Sequence, residues 1–555
     1  MFGADHPLIV QGDGSILLDA HHARADEARA ALAPYAEIVS APEHVHTYRL
    51  SAISVWNALA LGRDGSDVKI DIGRFSRYGL PRNVAADIDA WVARYGKVRL
   101  QPGTSPARLR LVATEEPVAR EIARTPAAAR WLEPTDDGCA FELDALHRGD
   151  VKWALVRLGF PVEDAAGFAA AEPLAFRVRD GEGFEVRDYQ RACVDAFLAA
   201  GGGSGGHGVV VLPCGAGKTL VGILAAARVG ASTLVLATSE AAVEQWAREL
   251  RERTDLPPDA IGTYTARRKD VRPVTVATYS VLTLRRGAEF PHLTLFRARA
   301  FGLIVYDEVH LLPAPVFRMT ASLQSVRRLG LTATLLREDG KEEDVFALIG
   351  PKRYDVPWKA LERSGHIAEA ECREVRVPLD DATRAAYAEA EPTRRFRIAA
   401  EAPSKDDEVA RLVAAHPDRP ALVLGTYVDQ LARLAKRLDA PLVTGETTTP
   451  ARAALYERFR RGEVRCLVLS RVGSFALDLP TASLAVEVSG TFGSRQEEAQ
   501  RLGRVLRPKD HRALFVTVVS RDTVEQDAAL RRQRFLVEQG YRYDIDDRRP
   551  ETAPA

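Results

Sequence analysis

Two stretches of the sequence alternate short, wholly apolar runs with helical patterns, and this alternation restricts the possible fold more than any other feature. The first holds VVVL (209–212), TLVLAT (233–238), VTVAT (274–278), LIVYDE (303–308) and GLTAT (330–334). The second holds ALVLGT (421–426), PLVTG (441–445), CLVLS (466–470), LAVEVS (484–489) and ALFVTVVS (513–520). A strand with one wet face alternates polar and apolar residues. Runs that do not alternate, spaced by helices, belong to parallel sheets covered on both faces. Two consecutive α/β domains with parallel sheets are therefore expected.

Upstream the pattern changes. LIVQ (8–11), a GDGS turn and ILLD (16–19) read as a β-hairpin, followed by helical patterns at Ala23–Tyr35 and Ile53–Leu61. Between 96 and 172 come two strand-like runs (KVRLQ, RLRLVAT), a helix at Val118–Ala123, two more runs (ARWLE, CAFELD) and a helix at Val151–Leu158. This is a ββαββα unit of its own. The glycine-rich GGGSGGHG at 201–208 reads as a flexible connector. The expected organisation is two smaller α+β domains at 1–95 and 96–178, α/β domains at 179–365 and 366–545, and a disordered tail at 546–555.

With 555 residues, 46% of them apolar, every one of these domains can bury a core, which excludes a disordered or fibrous chain. Charge cancels at 76 basic against 76 acidic residues, so the bulk balance gives no sign of a polyanionic partner. Local counts do. Residues 267–299 carry eight basic side chains against two acidic, and 501–540 nine against five, the footprint of sequence-independent phosphate contacts. Only 11 of the basic residues are lysine, and the other 65 are arginine, whose planar fork suits phosphate. The five cysteines include no CxxC pair, and neither His21-His22 nor His44-Val45-His46 is accompanied by the ligands of a metal site. With no secretory N-terminus and no long apolar run, a soluble cytoplasmic protein without a membrane partner is expected.

The run VVVL leads into Pro213-Cys214-Gly215-Ala216-Gly217-Lys218-Thr219 and an apolar helix. Glycines let backbone N–H groups wrap a phosphate, the lysine neutralises its charge, and the threonine hydroxyl ligates Mg²⁺. Leu212 stands where the strict spacing would put a first glycine. FGLIVYDE ends in Asp307-Glu308-Val309-His310, two carboxylates at a strand tip. One can hold Mg²⁺ and the other can take a proton from the attacking water. In the second block, Arg504 and Arg507 lie three apart on one helix face, spaced to stabilise transition-state charge on a nucleotide clamped between two domains.

PxGxGKT, DEVH, Thr332-Ala333-Thr334 and QRLGRVLR, in this order, resemble motifs I, II, III and VI of superfamily 2 helicases. AAVEQW, YDEVHLLPAPVFR, LGLTATLLRED, IGPKRY and GTFGSRQEEAQRLGRVLRPK narrow the likeness to the XPB family in its short bacterial form, over about 184–510. The resemblance implies tandem RecA-like motor domains driving 3′-to-5′ movement on DNA with ATP and Mg²⁺, in DNA repair. It implies that Arg187 and Gln190 read adenine, that Gln500 belongs to the ATP site, and that His310 links the nucleotide to Thr332 and Thr334. It further implies that Arg337-Glu338-Asp339, together with Thr278 in the strand-binding region VATYSVLT, couples hydrolysis to DNA. The unit at 96–172 occupies the place of a damage-recognition domain.

Two departures stand out. The stretch 380–403, where relatives carry a thumb-like insertion, is short, and Ser474 replaces an aspartate of some relatives. The expected partners are single-stranded, forked or damaged DNA and, as in some relatives, a nuclease. A double-strand translocase and a damage-binding ATPase scaffold remain open as alternatives.

Overall fold

The computed structural model describes residues 6–547 except 33–34, 41–44, 61–62, 106, 167–170, 182–183, 199–205, 285–290, 296–298, 312–326, 334–344, 346–348, 351, 357, 471–478, 480, 491–497, 499–500 and 504–511. Thr334, Arg337, Glu338, Asp339, Ser474, Gln500, Arg504 and Arg507, most of the glycine-rich connector and most of the tail lie outside the described residues. The chain divides into two compact units, Met1–Val39, His44–Leu212 and Gly217–Val356 in one and Ser40–Glu43, Pro213–Ala216 and Pro357–Ala555 in the other.

The GDGS turn closes an antiparallel hairpin of Leu8–Val10 with Ser15–Asp19, with Gly14 supplying the left-handed residue (φ 80°) that the turn requires. Val45–Leu50 and Ala36–Ser40 extend the hairpin to four strands. The helices Ala25–Leu32 and Ala52–Ala60 fall where their patterns put them, and Gly65–Phe75 and Arg82–Arg94 add two more. Leu8, Ile16, Leu18, Val68, Ile72 and Ile88 are fully buried between these layers.

The next sheet runs Glu133–Pro134, Ala140–Asp144, Arg108–Ala113, Val98–Pro102, Val162–Asp164, with helices Glu116–Arg124 and Arg148–Leu158. One expectation fails here. ARWLE, read as a strand, begins in a helical turn, Pro126–Ala129, because Pro126 fixes a helical start before an alanine run. Trp131 then stacks on His147 with ring centroids 3.8 Å apart, and only Glu133–Pro134 pair with the sheet.

Both larger sheets have seven strands, and every described pairing in them is parallel. The first is ordered Ile261–Tyr264, Val274–Thr278, Thr233–Ala237, Leu303–Asp307, Arg327–Thr332, His207–Val211, Lys352–Asp355. The second is ordered Leu442–Val443, Cys466–Ser470, Ala421–Gly425, Leu484–Glu487, Ala513–Ser520, Ala370–Val377, Tyr543–Asp547. All ten apolar runs lie in these two sheets, as the lack of alternation requires.

The second sheet buries charge as well as hydrocarbon. Lys405 is fully buried, and its ammonium donates to Val488 O at 2.9 Å and to Glu525 Oε1 at 2.6 Å. The other Glu525 oxygen accepts from Ser520 N–H at 2.8 Å. Arg501 pairs with Glu487, and Arg532 lies 3.3 Å from Glu498. The short thumb stretch forms two helices, Asp381–Glu389, which buries no residue, and Pro392–Ala400. Among the described residues no helix is long and apolar enough to cross a membrane.

Candidate nucleotide site

Strand His207–Val211 delivers the chain into the loop 213–217, and helix Lys218–Val229 starts directly after it. Gly215 (φ 87°) and Gly217 (φ 81°) are both left-handed, so the loop turns in a way that side-chain-bearing residues resist. No side chain caps the helix, whose start carries the positive end of the helix dipole that favours an anion. A Cβ on Gly217 would fall 2.5 Å from the Gln190 amide nitrogen, so Gln190 closes over the loop. Gln190 is itself buried and accepts from the Arg187 N–H at 3.0 Å, which ties the two side chains' segment together, while the Arg187 guanidinium donates to the Tyr189 hydroxyl at 3.2 Å. Leu212 explains its own departure from the usual spacing. It is fully buried and its N–H donates to Thr332 O at 2.9 Å, so the residue still belongs to the sheet and the turn begins one step later.

Strand Leu303–Asp307, one strand removed across Arg327–Thr332, brings Asp307 and the following Glu308 to the same edge. Lys218 Nζ lies 3.1 Å from Glu308 Oε1. Glu308 has φ 50°, a left-handed conformation that costs a non-glycine residue on the order of 1–3 kcal/mol and is held by its surroundings. His310 Nδ1 lies 3.6 Å from Glu308 Oε2 and shares a 2.5 Å hydrogen bond with Thr332 Oγ1. A chain Lys218–Glu308–His310–Thr332 therefore crosses the tips of three strands.

Asp307 is half-buried at the strand tip. Burial and the adjacent Glu308 charge push its carboxyl up to about 6, against the pull of the Trp246 indole N–H and of Lys218. Trp246 donates to Asp307 Oδ2 at 2.9 Å, and the Tyr279 hydroxyl donates to the Asp307 backbone oxygen at 2.9 Å. The sequence marked Trp246 and Tyr279 only as members of family phrases. The one local sign was a polar-tipped aromatic on the apolar face of Glu240–Arg253. Gly222 makes room for it, since a Cβ there would meet the indole at 2.5 Å.

Thr278 is not drawn into this site. It is buried and its hydroxyl accepts from Val281 N–H at 3.4 Å, capping the turn Tyr279–Leu282. Cys214, Thr219 and Lys218 are partly exposed at the loop and the first turn of the helix.

A strand–glycine loop–helix turn on one parallel sheet, with a second parallel sheet following in the same chain, defines a class: a tandem RecA-like motor. Three family models match, the ERCC3/RAD25/XPB C-terminal helicase at 361–552, the Type III restriction enzyme res subunit at 183–337 and a helicase conserved C-terminal domain at 8–133. The chain is 52% identical over 545 residues to a DNA 3′-5′ helicase XPB of Kineococcus radiotolerans, covering 98% of this chain and 97% of that protein. It is 52% identical over 546 residues to the Mycobacterium tuberculosis protein of the same name, covering 98% of each. A general transcription and DNA repair factor IIH helicase/translocase subunit XPB of Encephalitozoon cuniculi is 34% identical, covering 98% of this chain and 83% of that protein. The chain belongs to the XPB family of DNA helicases, which are ATP-hydrolysing enzymes.

Proposed function

We propose that the chain moves 3′ to 5′ on DNA in the service of repair, opening forked or damaged duplex, with domains bounded at 95, 178 and 365. The observation that carries this reading is the contact of Lys218 with a strained Glu308 beside a half-buried Asp307. Glu308 takes the proton of the attacking water. Lys218 and the helix start hold the phosphates, Arg187 and Gln190 hold the base, and Arg504 and Arg507 offset charge on the transferred phosphoryl group. Asp307 is a half-buried carboxylate at the strand tip and Thr219 a partly exposed hydroxyl in the first turn of the helix, oxygen donors of the kind taken by Mg²⁺, which uses one or two protein oxygens and completes its shell from phosphate and water. Thr219 and Asp307 would hold it. When bound, the ion withdraws charge from the phosphate oxygens.

The test compares ATP hydrolysis with single strand, duplex, fork and RNA, alongside strand release from the fork. Stimulation by DNA with strand release is expected. The shortness of the stretch 380–403 favours a second reading, a double-strand translocase or damage-binding ATPase, and hydrolysis without release at any fork would select it. A nuclease partner and a cytoplasmic location complete the proposal.

Two further outcomes are expected. Trp246→Phe removes a hydrogen bond to a charged, buried group, worth about 1.5–3 kcal/mol, so ATP turnover falls roughly tenfold while the fold is kept. An unchanged kcat would detach Trp246 from the site. Replacing Arg337, Glu338 and Asp339 with alanine lowers strand displacement more than hydrolysis, and equal losses in the two assays would remove their coupling role.

A further inference from the structure

At the end of strand Leu484–Glu487 four charged side chains are buried together. Glu487 closes the strand, Glu498 and Arg501 lie three apart on one helical face, and Arg532 comes from the helix Val524–Glu538. None of the four is more than 2% exposed. Arg501 Nη1 donates to Glu487 Oε1 and, at 3.2 Å, to Ser489 O. Arg532 Nε donates to Glu498 Oε2 at 3.3 Å and lies 3.6 Å from Glu487 Oε1. The Tyr543 hydroxyl donates to the other Glu498 oxygen at 3.1 Å. Burial alone would raise the Glu487 carboxyl, but Arg501 and Arg532 hold it down to about 2, so it is ionised at neutral pH.

The cluster grips the chain where it leaves the sheet and again where it returns. On the way out, Ser489 O accepts from Arg501, and the Ser489 hydroxyl accepts from Thr426 N–H at 2.9 Å. A Cβ on Gly490 would fall 2.2 Å from the Arg532 guanidinium, so the backbone there lies directly on that group. On the way back, Glu498 and Arg501 are tied to Arg532 and Glu487. Desolvating four charges is costly, and an apolar cluster of the same volume would hold the layers together as well or better. What charge-assisted bonds add is a fixed direction. Leu502 and Gly503 are buried as well, and at most about 11 Å of chain separates Arg501 from Arg504.

We propose that Arg501 is a positioning residue for the arginines that follow it: pinned to Glu487, it sets the direction in which the chain enters Arg504 and Arg507. The inference rests on the reading that those two offset charge on the transferred phosphoryl group. A group misplaced by about 1 Å at a reacting centre costs on the order of 10²-fold in rate, so the anchor of such a pair matters to turnover and not to fold alone.

The full-length chain is assayed for ATP hydrolysis on forked DNA, with the denaturant midpoint of the second motor domain measured alongside. Arg501→Lys keeps a cation beside Glu487 on a side chain one bond shorter, so the fold persists while kcat falls about tenfold and the KM for ATP stays within about twofold of the parent. Arg501→Met strands the Glu487 charge and lowers the midpoint. Adding Glu487→Met leaves Arg532 with Glu498 and Lys405 with Glu525, which restores the midpoint. Turnover in that double variant should nonetheless stay about 10²-fold down. Parent-like kcat in Arg501→Lys, or turnover that recovers together with the midpoint in the double variant, would overturn the proposal and leave the cluster a support for the fold. Arg504→Ala tests the reading beneath it and should lose about 10³-fold or more in kcat. A parent-like rate there takes both readings down, whereas a loss there beside a parent-like Arg501→Lys takes down this one alone.

Discussion

Glu308→Gln is expected to lower DNA-stimulated ATP turnover by roughly 10²–10⁴-fold, the usual contribution of a positioned general base. Glutamine keeps the shape and hydrogen-bonding reach of the side chain but cannot accept the water proton. Nucleotide binding should survive, because the phosphates are held by the loop and by Lys218. Lys218→Ala should also abolish turnover, but with loss of affinity for a fluorescent ATP analogue, since the phosphate charge is then unopposed in the loop. The two variants therefore separate by binding even though both are inactive. Near-normal hydrolysis in Glu308→Gln would end its assignment as base.

The largest stability effect is expected at Lys405. Its ammonium is fully buried with Glu525 at 2.6 Å, and Lys405→Met leaves that carboxylate buried and uncompensated. Breaking one side of such a pair costs about 3–5 kcal/mol, whereas replacing both partners is often close to neutral. The midpoint of denaturant unfolding for the second motor domain should therefore fall sharply in Lys405→Met. Adding Glu525→Gln should restore much of it, because a glutamine oxygen can still accept from Ser520 N–H. If the double variant is as unstable as the single, the damage lies in packing and not in charge.

The interior strands of both large sheets other than Ala370–Val377 were legible because burial on two faces removes polar residues from them; Ala370–Val377, AECREVRV, keeps four charged residues and carries no apolar run. The outer strands Tyr543–Asp547 and Lys352–Asp355 were not, since an edge strand keeps water on one side and its sequence, YDIDD or KRYD, reads as loop. The loop around Lys218 was legible because only glycine takes its left-handed turns cheaply. Trp246 and Tyr279 were not, as their bonds to Asp307 join positions 61 and 28 residues apart, and nothing local to either side chain announces its partner. Thr278 shows the converse, a residue whose family phrase suggested a DNA contact while its hydroxyl caps a turn.

The 3.1 Å contact between Lys218 and Glu308 has a kinetic consequence. Parked on the carboxylate, the ammonium occupies Glu308 Oε1, so in this arrangement the group proposed to activate water is already engaged. An incoming polyphosphate competes for the same ammonium and, by drawing it away, leaves that oxygen open to the attacking water. The fuel thus arms its own consumption, and a motor built this way idles quietly between steps.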